Sequence, residues 1–548
     1  MKNVIWGTGL YACEFAYAMR SRGEIAFFID NNKDKQGKLF MGKKIMSPDD
    51  VEDWNDLYLY IPYNYYDEIV EQLKVYGLTD ETHFQKYDQI NKIGSAACKT
   101  DYEAAIAMLR SMAEKMKGYC LLWGRAWAFE GKGYKEYIHE WKNNDRNLKL
   151  GLVSEAIWYS KEETEEIMGL PAIVTSGIFD EHIYVENGML EKEQLSFLTE
   201  KKYARSGAEC LRVKFPFLTE AEADYMIYYM YQYVINVLDI LQPETIIAYP
   251  LLMVQHRILE EVCIEKGIPL ISTHQGIIPG TLVFDIGGEM GKSLPAVYFS
   301  KFRELSVEKE ELEYSKKVWD YLYTSKLNRK IQQQNDCVEY VLRNIDKKRP
   351  IIMFAGQYDA NSNMVPYTDE TKEYHSPIFH TSIEAGIYMA ELCNKNGWNF
   401  VYKPHPMNTK FEDKGKLPDN TIYVEFGNIN DLIDTSDVVV TILSQTNYVA
   451  LIRHKPVVML GYNQTRGKGC TYEAFEKNRI QSAVKEALEN GFTKEQEEAF
   501  LKHIAQVLKY YLFDDLQERE LRFGLKAPFG IEEFYGLKKL LTESEKSK

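Results

Sequence analysis

Short apolar runs alternate with amphipathic stretches along most of the chain. Runs bounded by Gly, Pro or polar turns, such as Val4–Trp6, Ile25–Ile29 and Leu57–Ile61, read as strands buried on both faces rather than one. Between them Ala12, Phe15, Ala16 and Met19 recur at helical spacing, with Gly23 placed to close the helix, and a second helix is predicted near Tyr66–Val75. Residues 1–95 therefore predict a small Rossmann-like α/β domain. The stretch "AAIAMLRSMAEKM" makes 96–117 a helical linker.

The same rhythm returns twice at larger scale. "YCLLWGRAWAFEGKG" opens a second unit with a strand ending in Trp-Gly, as "VIWGTG" does at the start of the chain. Further on, strand Thr245–Tyr249, helix Val254–Lys266, Gly267 and strand Pro269–Thr273 give the alternation of a parallel sheet with helical crossovers, so 118–300 predicts one lobe. The charged, helix-prone stretch Glu304–Lys347 makes 301–345 a helical connection. Residues 346–515 predict a second lobe, with strands Ile351–Ala355, Asn399–Tyr402, Thr421–Val424, Val438–Thr441 and Pro456–Leu460. Its helix Ser382–Asn396 is announced by a Thr381-x-x-Glu384 capping box, and 516–548 reads as a helical tail. The stripe "YYMYQYVINVL" reads as core rather than as a membrane or sugar-stacking face. The expected class is α/β, a pair of Rossmann-type lobes behind a small Rossmann-like domain.

Composition narrows the partners. With 548 residues, roughly two or three domains are expected. A formal net charge of −15 argues against a general polyanion binder and so against nucleic acid, while leaving room for one small phosphate compound in a local basic patch. Eight cysteines stand singly, without a C-x-x-C pair, and read as reduced core residues. No apolar run approaches the ~20 residues that span a bilayer, and the amino terminus lacks a signal-peptide core. A cytoplasmic location is expected, compatible with a peripheral position at the inner face of a membrane.

In open α/β sheets ligands sit beyond the carboxyl ends of the strands. In the last lobe those positions hold Gln357 and Asp359, then Lys403 and His405 in "KPHP", then Ser444, Gln445 and Thr446. Lysine offers a point charge, histidine a directional donor, and the prolines stiffen the loop. Ser444 and Thr446 add hydroxyls at the start of "TNYVALIRH". Together they predict a diphosphate or phosphodiester site; taken alone, Lys403-Pro404-His405-Pro406 also reads as a rigid surface turn. At the amino terminus, Gly7, Gly9 and Ala12 of "GTGLYA", followed by Asp30, have the spacing of a nucleotide-binding turn and its ribose-binding acid. That unit is too short for a full dinucleotide fold, and it also looks like the small nucleotide-binding domain attached to some sugar acyltransferases and surface-polysaccharide enzymes. Nucleotide binding and a degenerate docking role both stay open.

"YKPHP" followed by "TILSQTNYVALIRHKPVVMLG" resembles the carboxyl-terminal lobe of bacterial capsule and surface-polysaccharide transferases of GT-B architecture, among them capsule Kdo transferases, polysialyltransferases and CDP-glycerol glycerophosphotransferases. "FAGQYDANSN" is similar to a strand-end segment of the capsule enzymes, and the likeness spans roughly 240–470. The resemblance implies a GT-B-like pair of lobes. It implies that His405 and Pro406 form the His-Pro motif, with the histidine on the donor phosphate, and that Ser444 and Thr446 form the phosphate-binding turn. It implies a nucleotide-activated donor, CMP- or CDP-linked, a glycan or lipid-linked acceptor, and no bound metal or cofactor. One position departs from the pattern: Gln275 stands before Gly276 where capsule enzymes tend to carry an acid, and glutamine takes no proton. His274, Asp285 and Glu289 are the candidate bases, with His274 preferred. The leading expectation is a glycosyltransferase of capsular or surface polysaccharide synthesis. An NAD-dependent epimerase or oxidoreductase using the amino-terminal turn, and an inactive scaffold of a synthesis complex, are the alternatives.

Overall fold

The computed structural model describes residues 1–19, 23–62, 65–78, 81–87, 91–124, 126–145, 147–154, 160–174, 183–249, 252–328, 336–359, 362, 364–405, 414–523 and 533–543. The chain is mixed α/β and divides into two compact units. One comprises Met1–Glu130, Leu148–Ile246 and Met253–Pro269; the other Gly131–Asn147, Ile247–Leu252 and Leu270–Lys548.

In the first unit, strands β1 (Lys2–Trp6), β2 (Ile25–Ile29), β3 (Leu39–Phe40), β4 (Lys43–Met46), β5 (Leu57–Pro62) and β6 (Phe84–Tyr87) form a sheet of order β3-β4-β2-β1-β5-β6. All neighbours are parallel except the β3–β4 pair. Alternate residues of β1 serve opposite faces. Val4 and Trp6 join Ile69 and Leu73 of helix Tyr66–Val75, whereas Ile5 joins Ala12, Phe15, Ala16 and Met19 of helix Leu10–Met19. Burial on both faces explains why these strands read as unbroken apolar runs. Gly23, the residue expected to close that helix, donates its N–H to Met19 O at 3.1 Å.

Strand β7 (Asn91–Gly94) leads into helix Ser95–Met116, and β8 (Cys120–Gly124), β9 (Leu150–Ser154) and β10 (Ala172–Val174) form a parallel run in the same unit. β7 pairs in parallel with β11 (Ile183–Glu186), a contact between segments far apart in sequence. Helix Glu220–Leu241 is opened by a Thr219/Glu222 capping box and buries Tyr225, Tyr229, Tyr231 and Tyr233, so the aromatic stripe is core. β12 (Thr245–Tyr249) lies where the chain passes between units. Helix Val254–Lys266 is closed by Gly267 at φ +67°.

The second unit carries β13 (Leu270–Gln275), β14 (Thr281–Asp285), β15 (Ile351–Ala355), β16 (Asn399–Lys403), β17 (Thr421–Tyr423), β18 (Val438–Thr441), β19 (Val457–Met459), β20 (Tyr472–Glu473) and β21 (Leu512–Asp514). β13, β14 and β21 pair antiparallel. The others form a fully parallel sheet of order β17-β16-β15-β18-β19-β20. Its order reverses between β15 and β18, because β15 leads to β16 and β17 on one side while β18 leads to β19 and β20 on the other. Thr381 caps helix Ser382–Asn396 by accepting from Glu384 N, but the Glu384 carboxylate accepts from His380 N (2.8 Å), one residue before the N-cap, so the predicted box is shifted by one residue. The predicted connection between the lobes holds helices Phe299–Glu304, Lys309–Ser325 and Cys337–Asn344, and the tail a helix over Glu533–Glu543. All eight cysteines are buried, and among the described residues none forms a disulfide. Among the described residues no helix is long and apolar enough to cross a membrane.

Candidate functional site

Where the strand order reverses, the loops after neighbouring strands part and leave a crevice at their carboxyl ends. The residues predicted for the last lobe follow β15, β16 and β18, the three strands around that reversal. Gly356 N donates to Lys403 O at 2.8 Å and continues the β15–β16 ladder one step past β15. Gln357, next in line, is buried. Its backbone N–H donates to Ser382 Oγ (3.0 Å), its Nε2 reaches Ser362 Oγ (3.3 Å), and its Oε1 accepts a long bond from Leu443 N (3.4 Å). One side chain thus bridges the loops after β15 and β18. Asp359 Oδ2 accepts from Ser382 N at 2.7 Å, placing a carboxylate on the first turn of helix Ser382–Asn396, where aligned N–H groups favour negative charge.

After β18 the chain turns into helix Thr446–Ile452. Ser444 Oγ lies 3.0 Å from Thr446 Oγ1 and accepts from Thr446 N at 3.2 Å, giving a pair of half-buried hydroxyls at the turn. Below them Thr441 Oγ1 donates to Asn447 Oδ1, both buried, which fixes the turn to the end of β18. Gln445 points elsewhere: its amide donates to Ile277 O and, at 3.4 Å, to Gly276 O, tying the turn to the loop after β13. Lys403 is buried, with Nζ donating to Pro404 O (3.0 Å) and Glu425 O (2.9 Å), and burial pushes its pKa down to about 8. Its ammonium therefore serves two carbonyls beside its own strand end. His405 is half-buried and its ring stacks on Tyr358, centroids 6.3 Å apart, while Pro406 lies outside the described residues.

The candidate bases sit on and after the β13–β14 hairpin, whose register sets Ser272 opposite Asp285 and His274 opposite Val283. Asp285 is fully buried and accepts from Gly287 N (2.6 Å), Leu294 N (2.9 Å) and the Tyr511 hydroxyl (2.8 Å). Burial raises its pKa to about 6 against the lowering effect of those bonds. Glu289 is buried and accepts from Ser272 Oγ at 3.1 Å. His274 is half-buried, with Nδ1 2.7 Å from Gln275 O, and Gln275 is exposed. Of the three, His274 is the least buried as a residue, although its Nε2 is itself buried.

Sequence reasoning passed over Ser382, which receives Gln357 and gives its own N–H to Asp359. Its signal was present in the capping pattern at Thr381, since a helix that begins beside a strand end brings its first residues to the same crevice. The amino-terminal candidates gather elsewhere: Gly7, Gly9, Ala12 and Asp30 line one cavity of the first unit. Among the described residues no three His, Cys, Asp or Glu side chains gather as a metal would require.

Residues 254–506, which include every position of the crevice just described, match the family model for capsule polysaccharide biosynthesis proteins. That match spans a little under half of the chain. Residues 1–83 match a second model, described as C2185-like, N-terminal. No curated protein matches the chain. Among solved structures, the β-Kdo 2,7 transferase of Thermosulfurimonas dismutans KpsC is similar at 20% identity over 52% of this chain and 82% of that one, with a TM-score of 0.33. The β-Kdo 2,4 transferase of the same protein is similar at 14% identity over 48% and 79%, TM-score 0.32. The UDP-GlcNAc 2-epimerase of Methanocaldococcus jannaschii is similar at 10% identity over 70% and 98%, TM-score 0.30.

Proposed function

We propose that this protein is a glycosyltransferase of capsular or surface polysaccharide synthesis that takes a sugar, or a polyol phosphate, from a nucleotide-activated donor and passes it to a glycan acceptor. The observation that carries this reading is the capsule-biosynthesis match over 254–506. The crevice between β15 and β18 lies inside that span and supports it with polar groups suited to a phosphate.

In this reading the Ser444 and Thr446 hydroxyls and the His405 ring hold the donor phosphate. Charge that builds on the departing phosphate meets fixed donors rather than mobile water, which is how such sites lower a barrier without a metal. Lys403 fixes the strand end that delivers His405, and Gln357 and Asp359 form the wall of the donor pocket by holding helix Ser382–Asn396 in place. His274 accepts the proton of the acceptor hydroxyl. Asp285 and Glu289, both buried with their bonds made inside the protein, hold the hairpin that presents it. Gln445 ties the donor turn to that hairpin's loop. The donor is a CMP- or CDP-activated compound, and the acceptor is met at a membrane synthesis complex.

A panel of CMP-, CDP-, UDP- and GDP-activated donors, assayed for slow hydrolysis and for transfer, tests the reading. Turnover of a cytidine-linked donor that falls in His405→Ala and in His274→Ala is expected. No turnover with any donor would sink the proposal, and full activity in His405→Ala would sink the phosphate assignment.

A further inference from the structure

A crevice of the same topological kind lies in the first unit. Its sheet order reverses between β1 and β5, since β2 and β4 lie beyond β1 on one side and β6 beyond β5 on the other. At the carboxyl ends of these strands is a cavity of about 610 Å³, lined among others by Trp6 at the end of β1, Gly7 and Thr8 after it, Asp30 after β2 and Pro62 at the end of β5. That is the size and the place of a small-molecule site in an α/β sheet.

The two glycines of the turn have different reasons to be glycine. Gly7 has φ +105°, a conformation that side chains resist, and its N–H donates to Ile29 O at 2.6 Å, so the turn itself requires it. Gly9 does not have a left-handed φ, and a Cβ added there would meet nothing within 4 Å. Among the described residues nothing in the packing excludes a side chain at position 9, while a ligand lying against the turn would. Trp6, 2% exposed and lining the cavity, has an indole N–H without a hydrogen-bond partner among the described residues.

Asp30 is held in place by its neighbours. Oδ1 accepts from Asn32 N at 2.9 Å, and Oδ2 accepts from the Thr8 hydroxyl, with Lys35 Nζ 3.5 Å away. Lys35 also donates to Thr8 Oγ1 at 3.1 Å. A carboxylate has about four acceptor sites, so capacity remains for hydroxyl donors from a ligand. Asp30 and Glu68 against Lys35 leave the lining short of positive charge, which suits a ligand bearing hydroxyls and no more than one phosphate. Tyr65 and Tyr87 supply aromatic surface for a base. The sheet supplies one nucleotide-binding half rather than the pair that a dinucleotide occupies.

We infer that this cavity binds one ribonucleoside unit, with its vicinal diol on Asp30 and its 5′ side against the Gly7–Gly9 turn. The inference is independent of the transferase reading.

The test is calorimetric titration of the full chain carrying Ser444→Ala and Thr446→Ala, so that binding at the other crevice is weakened. The probes are the four ribonucleoside 5′-monophosphates, their 2′-deoxy forms and NAD. At least one ribonucleotide should bind, its 2′-deoxy form should bind at least about tenfold more weakly, and Asp30→Asn should lose a similar factor. Gly9→Val should abolish binding while leaving Tm unchanged, which separates a blocked site from a misfolded one. The inference is overturned if no monophosphate binds, if the deoxy form binds equally, if Asp30→Asn and Gly9→Val both bind like the parent, or if NAD binds more tightly than every monophosphate.

Discussion

The crevice at β1 and β5 and the crevice at β15 and β18 arise from the same reversal of strand order, yet they are furnished in opposite ways. At β1 and β5 the turn is stripped to glycine, and a cavity of about 610 Å³ remains over a carboxylate. At β15 and β18 the protein's own Gln357 spans the opening, with the Ser444 and Thr446 hydroxyls standing beside that bridge. Topology thus sets where a ligand can be met, and the few residues after each strand set which chemistry meets it.

The strongest way to break the comparison is to remove the hydroxyls. Ser444→Ala with Thr446→Ala should lower donor turnover by about 10²- to 10³-fold, the cost of deleting fixed donors at a developing charge. Ribonucleotide binding at the first crevice should be untouched. Parallel loss at both crevices, measured by donor hydrolysis and by calorimetry, would show that the two sites do not work independently.

Gln357→Leu tests the bridge itself. It strands the Leu443 N–H and takes a partner from Ser362, so a destabilisation of about 1–3 kcal/mol is expected, read from chemical denaturation. A neutral result would mean that the long bond to Leu443 contributes little. Pro62, at the end of β5, has no side-chain donor or acceptor with which to bridge, so its substitution should not reproduce the effect.

These predictions turn on residues that the sequence exposes unequally. Ile25–Ile29, Thr245–Tyr249, Ile351–Ala355 and Val438–Thr441 form strands within the boundaries expected from their apolar runs, and helices Tyr66–Val75, Val254–Lys266 and Ser382–Asn396 do the same. Local signals suffice in most of them, because glycine or proline ends the pattern, as Gly267, Gly356 and Gly397 do. Pairing of Asn91–Gly94 with Ile183–Glu186 carries no local signal at all. Nor do the partners of polar side chains. Spacing brings Lys403, Gln445 and Gln357 to strand ends, but that two of them would turn to carbonyls and the third to a neighbouring loop depends on chain segments far away in sequence. The hydroxyl pair at Ser444 and Thr446 is legible because both partners lie within one turn.

Asp285, at the end of β14, sharpens the picture of the second unit through pH. Burial raises its pKa from 3.8 to about 6, so the folded state holds a proton that the unfolded state has released across that window. Its contribution to stability is full below pH 3.8 and is lost as pH rises through about 6, at a slope of at most about 1.4 kcal/mol per pH unit. Asp285→Asn should remove this part of the slope, seen as a flatter stability profile between pH 4 and 6. An unchanged profile would mean that Asp285 titrates in its ordinary range.

The finest test returns to the first crevice and sets its two glycines against each other. Gly7→Ala forces a side chain into φ +105° and should cost about 1–2 kcal/mol of stability. Gly9→Ala places its methyl in open space without that strain, so its effect should stay within about 0.5 kcal/mol. If both substitutions destabilise alike, glycine at position 9 serves the fold and the turn needs no ligand to explain it. If only Gly7→Ala does, the second glycine is spare to the folded chain, and the opening it leaves beside Asp30 is the feature that distinguishes this crevice from the one the protein bridges for itself.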